Sequence, residues 1–91
     1  MASNTVWLKI DGERVSAALE EAGQKLGSAE GELALDFSSV RRIDPSALRA
    51  LEKLAGMAHD KAAKVVLRAV NVDVYKVLKL ARLTPRFSFL N

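Results

Sequence analysis

Ninety-one residues suffice for one domain with one modest core, and a hydrophobic fraction of 49% makes that domain globular rather than disordered. The absence of cysteine excludes disulfides, thiolate metal sites and cysteine nucleophiles, and the single histidine, His59, excludes a histidine-rich metal site. The net charge of +3 is unevenly spread, with residues 1–36 at −4 and residues 37–91 at +7, a split expected of halves that interleave in the fold.

The polar start Met1 to Thr5 has neither a basic region nor a long apolar run, so no secretory signal is expected. No apolar stretch approaches the roughly 20 residues that span a bilayer, so no membrane insertion is expected and the chain reads as cytoplasmic.

In chain order, Val6, Leu8 and Ile10 alternate with Trp7 and Lys9 as in a strand, and Asp11-Gly12 follows as a turn. Val15, Ala18, Leu19, Ala22 and Leu26 then form one helical stripe, which Gly27 is expected to end in a left-handed turn. Leu33 to Phe37 reads as the second strand. After a connection through Val40 and Arg41, Asp44-Pro45 gives a helix start. Asp44 accepts a backbone N–H as N-cap, and Pro45 loses nothing at the first helical position. Leu48, Leu51, Leu54, Ala55 and Ala58 are the stripe of this helix, which fades at His59-Asp60.

Val65 to Val70 is rich in β-branched residues and reads as the third strand. Asn71 caps a third helix with Val74, Val77, Leu78 and Ala81 inward, closed by Thr84-Pro85, and Phe87 to Leu90 is a short last strand. The order β-α-β-α-β-α-β implies right-handed crossovers and a mainly parallel four-stranded sheet in one α/β domain over residues 1–91. Ala34, Asp36, Arg68 and Ser88 give several strands a small or polar face, so helices are expected mainly on one side.

No glycine-rich phosphate loop follows any strand. Ser46 and His59 lie on the same helix, 13 positions and so roughly 20 Å apart, too far for a nucleophile and its base. No enzyme site, cofactor or metal is expected. Ser46 stands at the positive end of its helix, near Arg41, Arg42 and Arg49. A phosphate there would gain about 0.3–1 kcal/mol from the helix dipole, with Asp44 opposing it. The plainer reading of the same corner is an ordinary helix start.

Lys76, Lys79, Arg82 and Arg86 read as a solvated face, and no interleaved aromatics support nucleic-acid stacking. Phe87, Phe89 and Leu90 are expected to complete the core, with a homodimer contact as the alternative.

The segment Leu35-Asp36-Phe37-Ser38-Ser39-Val40-Arg41-Arg42-Ile43-Asp44-Pro45-Ser46-Ala47-Leu48 resembles the signature of STAS domains, the family of anti-anti-sigma factors. That signature has a strand ending in Leu-Asp-Leu-Ser, then an apolar residue, Asp, two small residues, Gly and Leu. Val70 to Leu83 resembles the family's later strand-to-helix segment, which often ends in Gly-Leu. The resemblance implies a STAS fold and a non-enzymatic regulatory module that binds an anti-sigma factor of serine-kinase type.

In that family the kinase phosphorylates a serine at the start of the second helix, and a cognate phosphatase reverses it. Here that serine would be Ser46, with partner contacts from Ser39, Arg42, Asp44, Pro45, Ala47 and Arg49. Pro45 replaces a small polar residue and would stiffen the segment a kinase grips. Ala47 replaces glycine and would add a methyl where a partner approaches. Set against that pattern, these residues are expected to lack an extra N-terminal strand and the C-terminal helix. A second resemblance, to the STAS subunit of bacterial lipid-transport ATP-binding-cassette complexes, implies constitutive docking on an ATPase through the same helix start.

Overall fold

A computed structural model describes residues 5–28 and 31–90. Strand β1 (Thr5–Lys9) leads to helix α1 (Val15–Ser28), β2 (Glu32–Asp36) to α2 (Pro45–Asp60), and β3 (Lys64–Arg68) to α3 (Val72–Leu80). A short 3-10 turn at Thr84–Arg86 then enters β4 (Ser88–Leu90). The four strands stand in the order β1-β2-β3-β4, and each neighbouring pair is parallel. Because the strand order never reverses, right-handed crossovers carry the helices to one face of the sheet.

The period-two pattern sorts the two faces. Leu33, Leu35 and Phe37 of β2 and its continuation join Val65 and Leu67 of β3 in the core. Against them pack Leu19 and Leu26 of α1, Leu51 and Leu54 of α2, and Leu78 of α3. Each such fully buried leucine is worth about 1.5–3 kcal/mol in surface removed from water. The alternate residues form the other face in register: Thr5, Glu32 and Lys64 in one row, Lys9, Asp36, Arg68 and Leu90 in another. Between them, Trp7 on the edge strand is 57% exposed, while Ala34 and Val66 on the central strands are buried.

The acidic first half and basic second half do interleave. Glu32 lies 3.9 Å from Lys64, and Asp36 lies 4.0 Å from Arg68, each pair bridging β2 and β3. Such partly exposed pairs contribute little singly and chiefly agree with the strand register.

Three expectations need correction. Gly27 does not end α1, which runs to Ser28. A glycine weakens a helix by about 1 kcal/mol but does not stop one whose last turn is anchored by a buried residue such as Leu26. Thr84-Pro85 does not close α3 either. That helix ends at Leu80, where Arg82 takes a left-handed φ of 61° and the Leu83 N–H reaches the Leu78 carbonyl at 2.8 Å. Leu90 is 51% exposed, so of the last three apolar residues Phe87 alone is fully buried. Phe89 is half-buried and meets the Tyr75 ring edge-on at 5.2 Å.

Candidate functional site

The end of β2 and the start of α2 are joined by a connection that is held at both ends and along its length. The Phe37 N–H is bound by the Arg68 carbonyl at 2.8 Å, and the Val40 N–H closes a turn onto the Phe37 carbonyl at 2.9 Å. Val40 is buried, and Arg41 and Arg42 beyond it are exposed. Asp44 then caps α2 as its sequence predicts: Oδ1 accepts the Ala47 N–H at 2.7 Å, and Pro45 begins the helix.

Ser46 is exposed in the first turn, and none of the described residues bonds its hydroxyl. It opens onto a groove of about 300 Å³ between α1 and α2, with Ser16, Glu20, Arg49 and Lys53. Ser39, Arg42 and Asp44 open instead onto a second groove of about 800 Å³, lined also by Asp11, Gly12 and Arg41. The helix start therefore has two sides, with Ser46 and Arg49 on one and Ser39, Arg42 and Asp44 on the other. Pro45 is exposed at the same corner. Ala47 is only 1% exposed and belongs to the core, and it also contributes to the wall of the larger groove.

At the end of β2 the Ser38 N–H donates to Asp36 Oδ1 at 2.9 Å. That bond and one from the Ser38 side chain hold the Asp36 carboxyl below its ordinary range, and the nearby positive charges of Arg68 and Lys9 act the same way. Asp36 is thus a fixed anion at the sheet's carboxyl end. Among the described residues no cluster of three or more His, Cys, Asp or Glu side chains could hold a metal. No helix among them is long and apolar enough to cross a membrane. His59 is exposed on the last turn of α2, the helix that begins one residue before Ser46.

Asn71 belongs to this region and is missed when the site is read from the sequence. Its Oδ1 accepts the Val74 N–H at 2.7 Å, the cap its position predicts. Its Nδ2 also donates to the carbonyls of Val40 and Arg41, at 3.1 and 3.3 Å. Those partners lie about thirty residues earlier, so no local pattern signals the contact.

Comparison with solved structures returns the same architecture. The crystal structure of the Thermotoga maritima protein TM1081, a candidate anti-sigma factor antagonist, superposes with a TM-score of 0.79 at 19% identity, covering 100% of this chain and 82% of that one. The solution structure of TM1081 gives 0.75 at 18% identity, covering 98% of this chain and 75% of that one. At such identity the likeness establishes the fold. No curated protein matches the sequence. The family model described as the Mlab STAS domain matches residues 1–87, nearly the whole chain, and the protein belongs to the STAS-domain family.

Proposed function

We propose that this STAS domain is a regulatory protein-docking module that acts through the start of α2, and that phosphorylation of Ser46 switches the docking. The observation that carries the reading is the state of Ser46: exposed, unbonded by any described residue, and set in the first turn of a capped helix. Pro45 has no N–H and Asp44 engages those of Ala47 and Leu48, so the Ser46 N–H and the macrodipole are what favour an anion there. A phosphate brings about −1.5 to −2 charges at neutral pH and three strong acceptor oxygens. Arg49 and Lys53, which share the groove with Ser46, would hold it in the free protein. The same dianion would repel acidic groups of a partner or require their desolvation, and docking would weaken.

The partner in this reading is an anti-sigma factor of serine-kinase type that phosphorylates the module, with a phosphatase restoring docking. Ser39, Arg42, Asp44, Pro45 and Arg49 are its contacts, and Ala47 supports them from the core. The module needs no cofactor and performs no chemistry of its own.

A second reading is constitutive docking on the ATPase of a bacterial lipid-transport complex. Pro45 favours it, because the ring fixes the backbone just ahead of Ser46 and stiffens the segment a kinase must grip. The matched family model also carries the name Mlab.

Quantitative capture from source cells with wild type, Ser46→Asp and Arg49→Glu as baits, read by mass spectrometry, tests both. A serine-kinase-type regulator captured by wild type and lost with Ser46→Asp supports the switch. Equal capture of a transporter ATPase by wild type and Ser46→Asp, with loss for Arg49→Glu, leaves the docking subunit. Equal capture by all three removes the start of α2 as the docking surface.

A further inference from the structure

We infer that Asn71 is a positioning residue: its side-chain amide clamps the β2–α2 connection and so sets the backbone that presents Arg41, Arg42 and Asp44. This assignment of Asn71 rests on the docking reading above only for the purpose the clamp serves. The clamp itself stands on three hydrogen bonds from one side chain.

The two ends of the amide have different tasks. Oδ1 is committed to the Val74 N–H at 2.7 Å and starts α3. Nδ2 spans to the Val40 and Arg41 carbonyls at 3.1 and 3.3 Å, on the neighbouring βα connection. Asparagine supplies an acceptor and a two-hydrogen donor on separate atoms of one short, flat group, whereas a serine or threonine hydroxyl carries both functions on a single oxygen. Aspartate would keep the cap and lose the donor. Serine would keep the cap and fall short of the carbonyls.

The connection has little else to hold it at that point. Val40 is buried and its N–H is engaged by Phe37, but Arg41 and Arg42 are exposed with no ion pair recorded among the described residues. Releasing Nδ2 leaves two carbonyls to water and frees the segment from Val40 to Ile43. In the Asn71→Asp variant the carboxylate would also face those carbonyl oxygens and push them away. The start of α3 is thereby mechanically joined to the docking corner of α2, although the chain connects them only through β3.

Amide hydrogen exchange on the full chain, for wild type, Asn71→Asp and Asn71→Ser, separates the two tasks. The Val40 amide reports the connection, and the Tyr75 amide, bonded to the Asn71 carbonyl, reports the start of α3. Exchange at Val40 is expected to rise roughly two- to tenfold in both variants, the worth of one net hydrogen bond, with Tyr75 unchanged. Unchanged exchange at Val40 in both variants overturns the clamp. Equal loss of protection at Val40 and Tyr75 makes Asn71 an ordinary helix cap and also overturns it.

The same variants are then used as baits against the partner identified with wild type. Capture weakened at least threefold joins clamp and docking. Faster exchange at Val40 with unchanged capture upholds the clamp and instead refutes docking through this connection.

Discussion

Gly12 lies directly against the backbone carbonyl of Ser39, so close that a β-carbon on Gly12 would overlap the oxygen. The β1–α1 and β2–α2 connections thus meet backbone to backbone at the larger groove, and only glycine permits the approach. Since the obstacle is backbone and not a flexible side chain, relief requires one connection to move. Gly12→Ala is expected to destabilise the fold by about 1–3 kcal/mol, the usual cost of forced overpacking. Urea denaturation measures the loss, and amide shifts concentrated at Ser38 to Val40 would identify its origin. An unchanged midpoint would show that the two connections separate freely.

Asp44 holds the start of α2 through one short bond to the Ala47 N–H. Asp44→Ala is expected to cost about 0.5–2 kcal/mol, and Asp44→Ser to restore most of it, because serine caps nearly as well. Thermal denaturation of the pair distinguishes a lost cap from a lost charge. Equal destabilisation by both variants would assign the effect to charge.

Ser46 is exposed and makes no side-chain bond within the described chain, so replacing it has little to break. Ser46→Ala is expected to stay within about 0.5 kcal/mol of wild type. Ser46→Asp is expected to match or gain about 0.3–1 kcal/mol from the helix dipole. Denaturation curves for both variants check this before any docking experiment. A large loss with Ser46→Asp would mean that its docking defect reported unfolding.

Asp36 is held below its ordinary value of 3.8, chiefly by the Ser38 N–H and hydroxyl and next by the charges of Arg68 and Lys9. A carboxyl depressed in the folded state contributes stability that is fully present above its unfolded pKa. That contribution fades as pH falls from about 3.8 through the folded value. Asp36→Asn is therefore expected to be less stable than wild type at neutral pH, with the two curves converging as pH drops below 3.8. Denaturant midpoints measured across that range test the sign. A gap that stays constant would separate the effect from the charge.

Arg82 sits in the left-handed region with a φ of 61°. An L-residue there carries steric strain of about 1–2 kcal/mol relative to the right-handed conformation, and glycine carries none. Arg82→Gly is expected to raise stability by roughly 0.5–1 kcal/mol after the added freedom of the unfolded chain is subtracted. A lower thermal midpoint would show that the arginine side chain contributes more than its backbone strain costs.

The sequence by itself determined the order of elements, the parallel sheet and the helix starts, because each rests on local signals. Strand alternation, helical stripes and the caps Asp44 and Asn71 act over a few residues and survive in the folded chain. It did not determine where α1 and α3 stop. Those ends depend on whether the last turn is anchored by buried side chains and on which residue accepts a left-handed backbone, as Arg82 does.

Tertiary structure alone decided which side chains of the α2 start are available. Ala47 turns inward, while Ser46 and Ser39 open onto different grooves. It alone joined Gly12 to Ser39 and Asn71 to Val40, pairs 27 and 31 positions apart. Parallel strands bring their carboxyl ends to one edge of the sheet, so connections remote in sequence share that edge. Contacts made there depend on distances that no residue pattern encodes.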